Sequence, residues 1–162
     1  MQKYVIVQFL EDVHEGDEFT AGNWPQHVTI AANFVVDWEG ERVLEKLSAL
    51  LATRRPIVTT AGDDEYFGPQ QQVHVTVLDV NPELTSLHSD IINLLRSVGA
   101  TFDEPQYLEA GYRAHSTVQK HARLHKGDAM RIQALTVVDM FPHNDIRQRR
   151  ILETIKLGGK TQ

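Results

Sequence analysis

The tetrapeptide His27-Val28-Thr29-Ile30 recurs in pattern as His115-Ser116-Thr117-Val118. In an extended chain alternate residues share a face, so His27 and Thr29 point one way while Val28 and Ile30 point the other; His115 and Thr117 relate to Ser116 and Val118 by the same parity. Two such strands facing each other across a groove present two imidazoles and two hydroxyls. That set suits attack on a phosphodiester. A neutral imidazole takes the proton of the attacking water or hydroxyl, and a protonated one delivers a proton to the leaving oxygen; both roles suit a side chain with an unperturbed pKa of about 6.5. The threonine hydroxyls hold non-bridging oxygens and keep the phosphorus between the two bases, as in-line displacement needs. His27, Thr29, His115 and Thr117 are therefore the expected catalytic set, working with no metal and no cofactor. One His-x-Thr alone carries little meaning, because chance and cross-strand packing produce it readily; two copies in like settings are far more specific.

Other residues compete for roles. A third copy, His74-Val75-Thr76-Val77, belongs to its own strand, and His74 is read as structural, as lining the cleft, or as touching substrate. Arg113 shares the parity of His115 and is expected either to neutralise a phosphate or to be an edge charge. Tyr66, Phe67 and Tyr112 are candidates for stacking a base, against the commoner role of aromatic residues in cores. His121 and His125 have the spacing of metal ligands on a helix, but their segment lacks a companion carboxylate and ends in a turn, so exposed loop histidines are expected. A metal site built from His27, His74 and His115 is a rival reading of the histidines. Asp63, Asp64 and Glu65 are read as a solvated acidic turn, and Arg113, Lys120, Arg123, Lys126 and Arg131 as a basic stretch that is either a solvated face or turned to a ligand.

The elements that must carry these residues follow from periodicity. Residues 4–9 and 26–36 are β-branched and aromatic and read as strands, the second entered through Trp24-Pro25. Residues 39–53 place Val43, Leu44, Leu47, Leu50 and Leu51 at helical spacing. Residues 57–60 start a strand that the acidic turn interrupts, and residues 71–80 form a stronger one. Asn81-Pro82 then caps a second helix whose apolar stripe runs from Leu84 to Leu95 and stops before Gly99. Strands are expected over 114–119, over 130–140 as one run, and over 149–157. Strands and helices intermixed, without linkers or low-complexity segments, indicate an α+β fold with antiparallel sheet.

The 162 residues, 41% of them apolar, suffice for one domain with a real core, so a single domain over 1–162 with two lobes is expected. The chain has no cysteine, which excludes disulfides, thiolate metal sites and a cysteine nucleophile. A formal net charge of −6 argues against a protein that grips duplex DNA by phosphate neutralisation, and leaves a small or single-stranded phosphate ligand open. The sequence holds no long apolar run and its start lacks the pattern of a secretory signal, so the expectation is a cytoplasmic monomer with no membrane partner.

The pair HVTI and HSTV, the chain length and the order of elements resemble the 2H phosphoesterase superfamily, the 2′-5′ RNA ligase-like or cyclic phosphodiesterase group. The resemblance runs from the first strand to RRILETIKL. It implies a bilobal fold of two antiparallel sheets with pseudo-twofold symmetry and flanking helices around a central cleft, one motif per lobe. It further implies that His27 and His115 are the acid–base pair and that Thr29 and Thr117 bind phosphate. The implied substrates are 2′,3′-cyclic phosphates, 2′-5′ linkages, cyclic nucleotides and RNA ends; a catalytically silent nucleotide-binding module of the same fold is the alternative. Two departures stand out. The segment 11–23 is shorter than the helix most members carry there, and the His74 strand should lie beside the His115 strand, as residues 4–9 lie beside the His27 strand.

Overall fold

The computed structural model describes residues 2–38 and 42–158. In chain order the elements are β1 (Lys3–Phe9), β2 (Glu18–Thr20), β3 (His27–Val35), α1 (Val43–Ala52), β4 (Ile57–Phe67), β5 (Val73–Leu78), α2 (Pro82–Ser97), β6 (Thr101–Phe102), β7 (His115–Thr117), β8 (Ala129–Ile132), β9 (Ala134–Asp139) and β10 (Gln148–Lys156). The expected start of the first helix at 39–41 lies outside the described residues. Its apolar face does form, burying Val43, Leu47 and Leu51. In α2 the Asn81 side chain accepts from the Glu83 and Leu84 amides at 2.9 and 3.2 Å, and Pro82 occupies the first turn, where no amide is needed. Its buried stripe is Leu84, Leu87, His88, Ile91, Ile92 and Leu95.

The strands form two antiparallel sheets, ordered β2-β10-β9-β1-β3-β6 and β7-β5-β4-β8. This is an α+β fold in which the two motif strands hold corresponding places: β3 flanks β1 in the first sheet, and β7 flanks β5 in the second. One face of the large sheet, with Tyr4, Ile6, Val28, Ile30 and Phe34, joins both helices and the small sheet in the main core. The other face carries a second cluster of Val5, Val7, Phe9, Val138 and Ile151, packed against Phe19 and Trp24. Register puts Phe9 opposite His27 and Val7 opposite Thr29, so the first motif lies on this second face.

Three expectations are corrected. Residues 61–65 are not a turn: β4 runs through them with a bulge between Ala61 and Asp64. The small, acidic run reads as a turn because its strand character comes from ion pairs with the basic stretch rather than from apolar residues. Asp63 pairs with Lys126 at 2.8 Å, Asp64 with Arg123 at 2.7 Å and Glu65 with Arg113 at 2.6 Å, so each acid of the run has a cation of the basic stretch as partner. The run 130–140 is two strands in different sheets, β8 and β9, parted at Gln133. The Gln8 side-chain oxygen accepts the Gln133 and Ala134 amides at 2.7 and 2.9 Å, which satisfies the backbone where it changes sheet. The third correction is the short strand β2 within 11–23, which pairs with β10. Among the described residues no helix is long and apolar enough to cross a membrane.

Candidate active site

The strands β3 and β7 approach each other, and with them the two motifs. In each motif the residues on the groove side, His27 and Thr29 or His115 and Thr117, are half-buried, while Val28, Ile30 and Ser116 are fully buried behind them. The two imidazoles are held alike. His27 Nδ1 lies 2.9 Å from the Pro25 carbonyl, and His115 Nδ1 lies 2.9 Å from the Arg113 carbonyl, two residues upstream in both cases. A carbonyl only accepts, so Nδ1 carries the proton in both rings. The neutral tautomer then presents an Nε2 lone pair, and the protonated ring an Nε2–H donor.

Aromatic residues wall both rings. Trp24 packs on His27 with centroids 4.7 Å apart, Phe9 meets His27 at 6.0 Å, and Phe67 meets His115 edge-on at 4.7 Å. An arginine caps each wall: the Arg149 guanidinium lies 5.9 Å from the Trp24 ring centroid, and that of Arg113 lies 5.3 Å from Phe67. Burial holds the pKa of both imidazoles below the ordinary 6.5, against the pull of the carbonyl bonds. The charge of His115 adds to the depression at His27, and that of Arg113 adds to it at His115.

The remaining candidates divide by sheet parity. Val77 pairs with His115 and Val75 with Thr117, so His74 and Thr76 point from the opposite face of the small sheet. Tyr66 pairs with His74 and stacks on it at 4.6 Å, which takes it to the same opposite face. The structure therefore separates His74 and Tyr66 from the imidazole pair. They join another cluster, in which His74 Nε2 donates to Asp64 at 2.9 Å and Thr76 donates to the Leu124 carbonyl at 3.0 Å. With the Arg123–Asp64 pair, this cluster pins the segment that follows the second motif. The expected strand neighbour of the His115 strand is thus found, with its histidine facing away.

Arg113 stays on the groove side, held bidentately by Glu65 at 2.9 and 2.6 Å. Tyr112 has its hydroxyl on the Thr29 carbonyl at 2.8 Å and its ring on His88, an arrangement unlike a free platform for a base. His121 Nε2 pairs with Glu11 at 2.8 Å and Gln119 Nε2 donates to the Trp24 carbonyl at 2.7 Å, so the segment after β7 is tied to the loops that precede β3. His125 sits in a turn, where its amide donates to Asp128 at 2.8 Å. Among the described residues no group of three His, Asp or Glu side chains is placed to hold a metal. The roles of Trp24, Phe9 and Gln119 escape sequence reasoning, since each depends on a tertiary contact; the aromatic type of Trp24, three residues ahead of His27, is the one available signal.

A concavity of about 370 Å³ lies elsewhere, where α1 ends and α2 begins, lined by Thr53, Arg54, Arg55, Ile57, Pro82 and Leu87 among others. It contains no imidazole, and the paired motifs locate the candidate site in the groove instead.

Comparison with known proteins bears on the family and the fold. Residues 6–141 match the family model of the 2′-5′ RNA ligase superfamily. No curated protein matches the sequence. Solved structures do match: LigT of E. coli complexed with 3′-AMP is 13% identical with a TM-score of 0.56, over 96% of this chain and 98% of that one. TT0787 of Thermus thermophilus is 13% identical with a TM-score of 0.57, over 99% and 100%. A further structure, described as a phosphoesterase, is 13% identical with a TM-score of 0.56, over 96% and 98%. At such identity the likeness establishes the fold, and the family match establishes kinship.

Proposed function

We propose, from the premise that this chain belongs to the 2′-5′ RNA ligase superfamily, whose function is of the phosphoesterase type, that it cleaves a small nucleotide or RNA-end phosphodiester by paired imidazoles without a metal. The substrates that fit are a 2′,3′-cyclic phosphate, a 2′-5′ linkage or a cyclic nucleotide. The observation that carries this reading is the matched anchoring of His27 and His115 through Nδ1, which leaves both Nε2 atoms for acid–base work. The 3′-AMP complex of LigT supports a nucleotide as the ligand class.

In the reaction the phosphorus sits between the rings. The neutral imidazole takes a proton from water as its oxygen bonds to phosphorus; the P–O bond to the leaving oxygen breaks, and the protonated imidazole supplies the proton that oxygen needs. Thr29 and Thr117 donate to the non-bridging oxygens. Burial keeps both rings neutral in the free protein near neutral pH, so the bound phosphate anion has a second task, to stabilise the one imidazolium the reaction requires. The aromatic walls limit water and strengthen that ion pairing.

The test is a panel of RNA with 2′,3′-cyclic phosphate ends, 2′-5′ oligoadenylate, cyclic mononucleotides and cyclic dinucleotides, run with and without EDTA. Turnover of at least one substrate, unaffected by chelator and reduced by about 10²-fold or more in both His27→Ala and His115→Ala, is expected. Binding throughout the panel with no product identifies a silent nucleotide-binding module. Loss of activity in EDTA with recovery on added zinc overturns the mechanism.

A further inference from the structure

The two motif strands are joined by a contact that involves none of the four motif side chains. On its inner side β3 pairs with β1, while on its outer side β6 pairs with Phe34 and Val35, so among the described residues no strand runs along that edge at residues 27–31. The register shift between Ile6 and Val7 makes Ile30 the extra residue of a bulge immediately after Thr29. Bulges leave backbone groups outside the ladder, and buried groups of that kind need other partners.

Two side chains supply them. The Tyr112 hydroxyl donates to the Thr29 carbonyl at 2.8 Å, and His88 Nδ1 donates to the Ile30 carbonyl at 2.6 Å. The two rings stack with centroids 3.9 Å apart and planes within 4°. With Nδ1 protonated, His88 Nε2 is an acceptor and takes the Glu109 amide at 2.9 Å, so a neutral ring is satisfied at both nitrogens. The backbone that delivers Tyr112 is constrained to do so. Glu109 has φ of +55°, with its carboxylate held by Arg96 at 2.6 Å, and a Cβ at Gly111 would lie 2.0 Å from the Gln106 carbonyl oxygen. Backbone strain of this kind persists only where its surroundings over-determine it.

Tyr112 also stands three residues ahead of His115, so its phenol reaches from the lead-in of the second motif to the backbone of the first. We propose that Tyr112, backed by His88, is a positioning residue that sets the separation of the two motif strands and hence of the His27 and His115 rings. Its effect on catalysis rests on the phosphoesterase reading; its effect on geometry does not. Burial pushes the phenol far above its usual range, so it stays a donor at any working pH.

Tyr112→Phe keeps the stack and removes the hydroxyl. In a protein that turns over its substrate, kcat should fall about tenfold and KM should change by less than about threefold, since misplacement acts on the transition state more than on ground-state binding. A second readout needs no turnover. In NMR titrations His115→Asn should raise the pKa of His27, and that rise should shrink in the Tyr112→Phe background. If the shrinkage appears in a protein that cleaves no phosphodiester, the positioning role stands and the phosphoesterase reading fails. Should kcat and the coupling both stay unchanged while only thermal stability drops, Tyr112 is a packing residue and the proposal is overturned. His88→Asn is the second variant if Tyr112→Phe does not fold. It keeps a donor for the Ile30 carbonyl, loses the acceptor for the Glu109 amide, and should weaken the coupling in the same direction; unchanged coupling in that variant overturns the proposal equally.

Discussion

At the scale of single residues, the proposed chemistry rests on two imidazoles that are less basic than free histidine. Burial is the first cause in both, and protonation is opposed further by neighbouring positive charge, that of His115 when protonated at His27 and that of Arg113 at His115. The pH dependence follows by sign. The proposed mechanism needs one ring protonated and one neutral, so kcat/KM, which reports the free protein, should be bell-shaped with both limbs on the acid side of where ordinary histidines titrate. A bound phosphate anion raises the pKa of the ring it faces, so the kcat profile should lie at higher pH. Coincident profiles, or kcat/KM limbs above about pH 7, would show that the rings are not desolvated in the way described. The motif residues were legible at this scale because parity alone groups His27 with Thr29 and His115 with Thr117. His74 was ambiguous for the same reason: the pattern is identical, and only the pairing of Val75 with Thr117 reveals that its face is the opposite one.

At the scale of elements, the third His-x-Thr secures a loop. Asp64 gathers His74, Arg123 and Thr76, and through them fastens the segment after β7 to β4 and β5. The His74 and Arg123 hydrogen bonds lower the pKa of this carboxylate. Asp64→Ala should therefore leave the helices intact while exposing the segment around Arg123 and Lys126 to trypsin, with faster cleavage there than in the parent protein. Equal cleavage rates would mean that the loop is held by its backbone alone. Both helices and the strands β1, β3, β5 and β7 were readable, since each has its own periodicity or cap, whereas residues 149–157, most of which form β10, fit neither the helical nor the strand period. The acidic middle of β4 and the break at Gln133 were not readable. The first is stabilised by cations far along the chain, and the second by the side chain of Gln8, so neither has a local signature.

At the scale of the molecule, three histidines link stability to pH. His27, His88 and His115 are all held below 6.5 by burial, and His88 uses both nitrogens in a neutral ring. The unfolded chain binds more protons than the folded one between about pH 6.5 and the lower pKa values of the folded rings, so stability is full above that window, declines as the pH falls through it and levels off once the folded rings protonate. Tm should fall between about pH 7 and pH 5 more steeply in the parent protein than in a His88→Gln variant; equal slopes would remove His88 from the account. The proposed acid–base chemistry would favour mild acid while stability favours neutrality, so the working range should be set by their overlap.

The strand order has a further consequence, for a nascent chain. The small sheet is built from the middle of the sequence, whereas the large one places β9 and β10 between β1 and β2. During synthesis the hairpin of β1 and β3 emerges early with its histidine, yet β10, which bears the Arg149 that covers Trp24, leaves the ribosome after every other strand of the two sheets. The second motif can be assembled while the first is still open along one flank, so maturation of the groove waits on the arrival of β10.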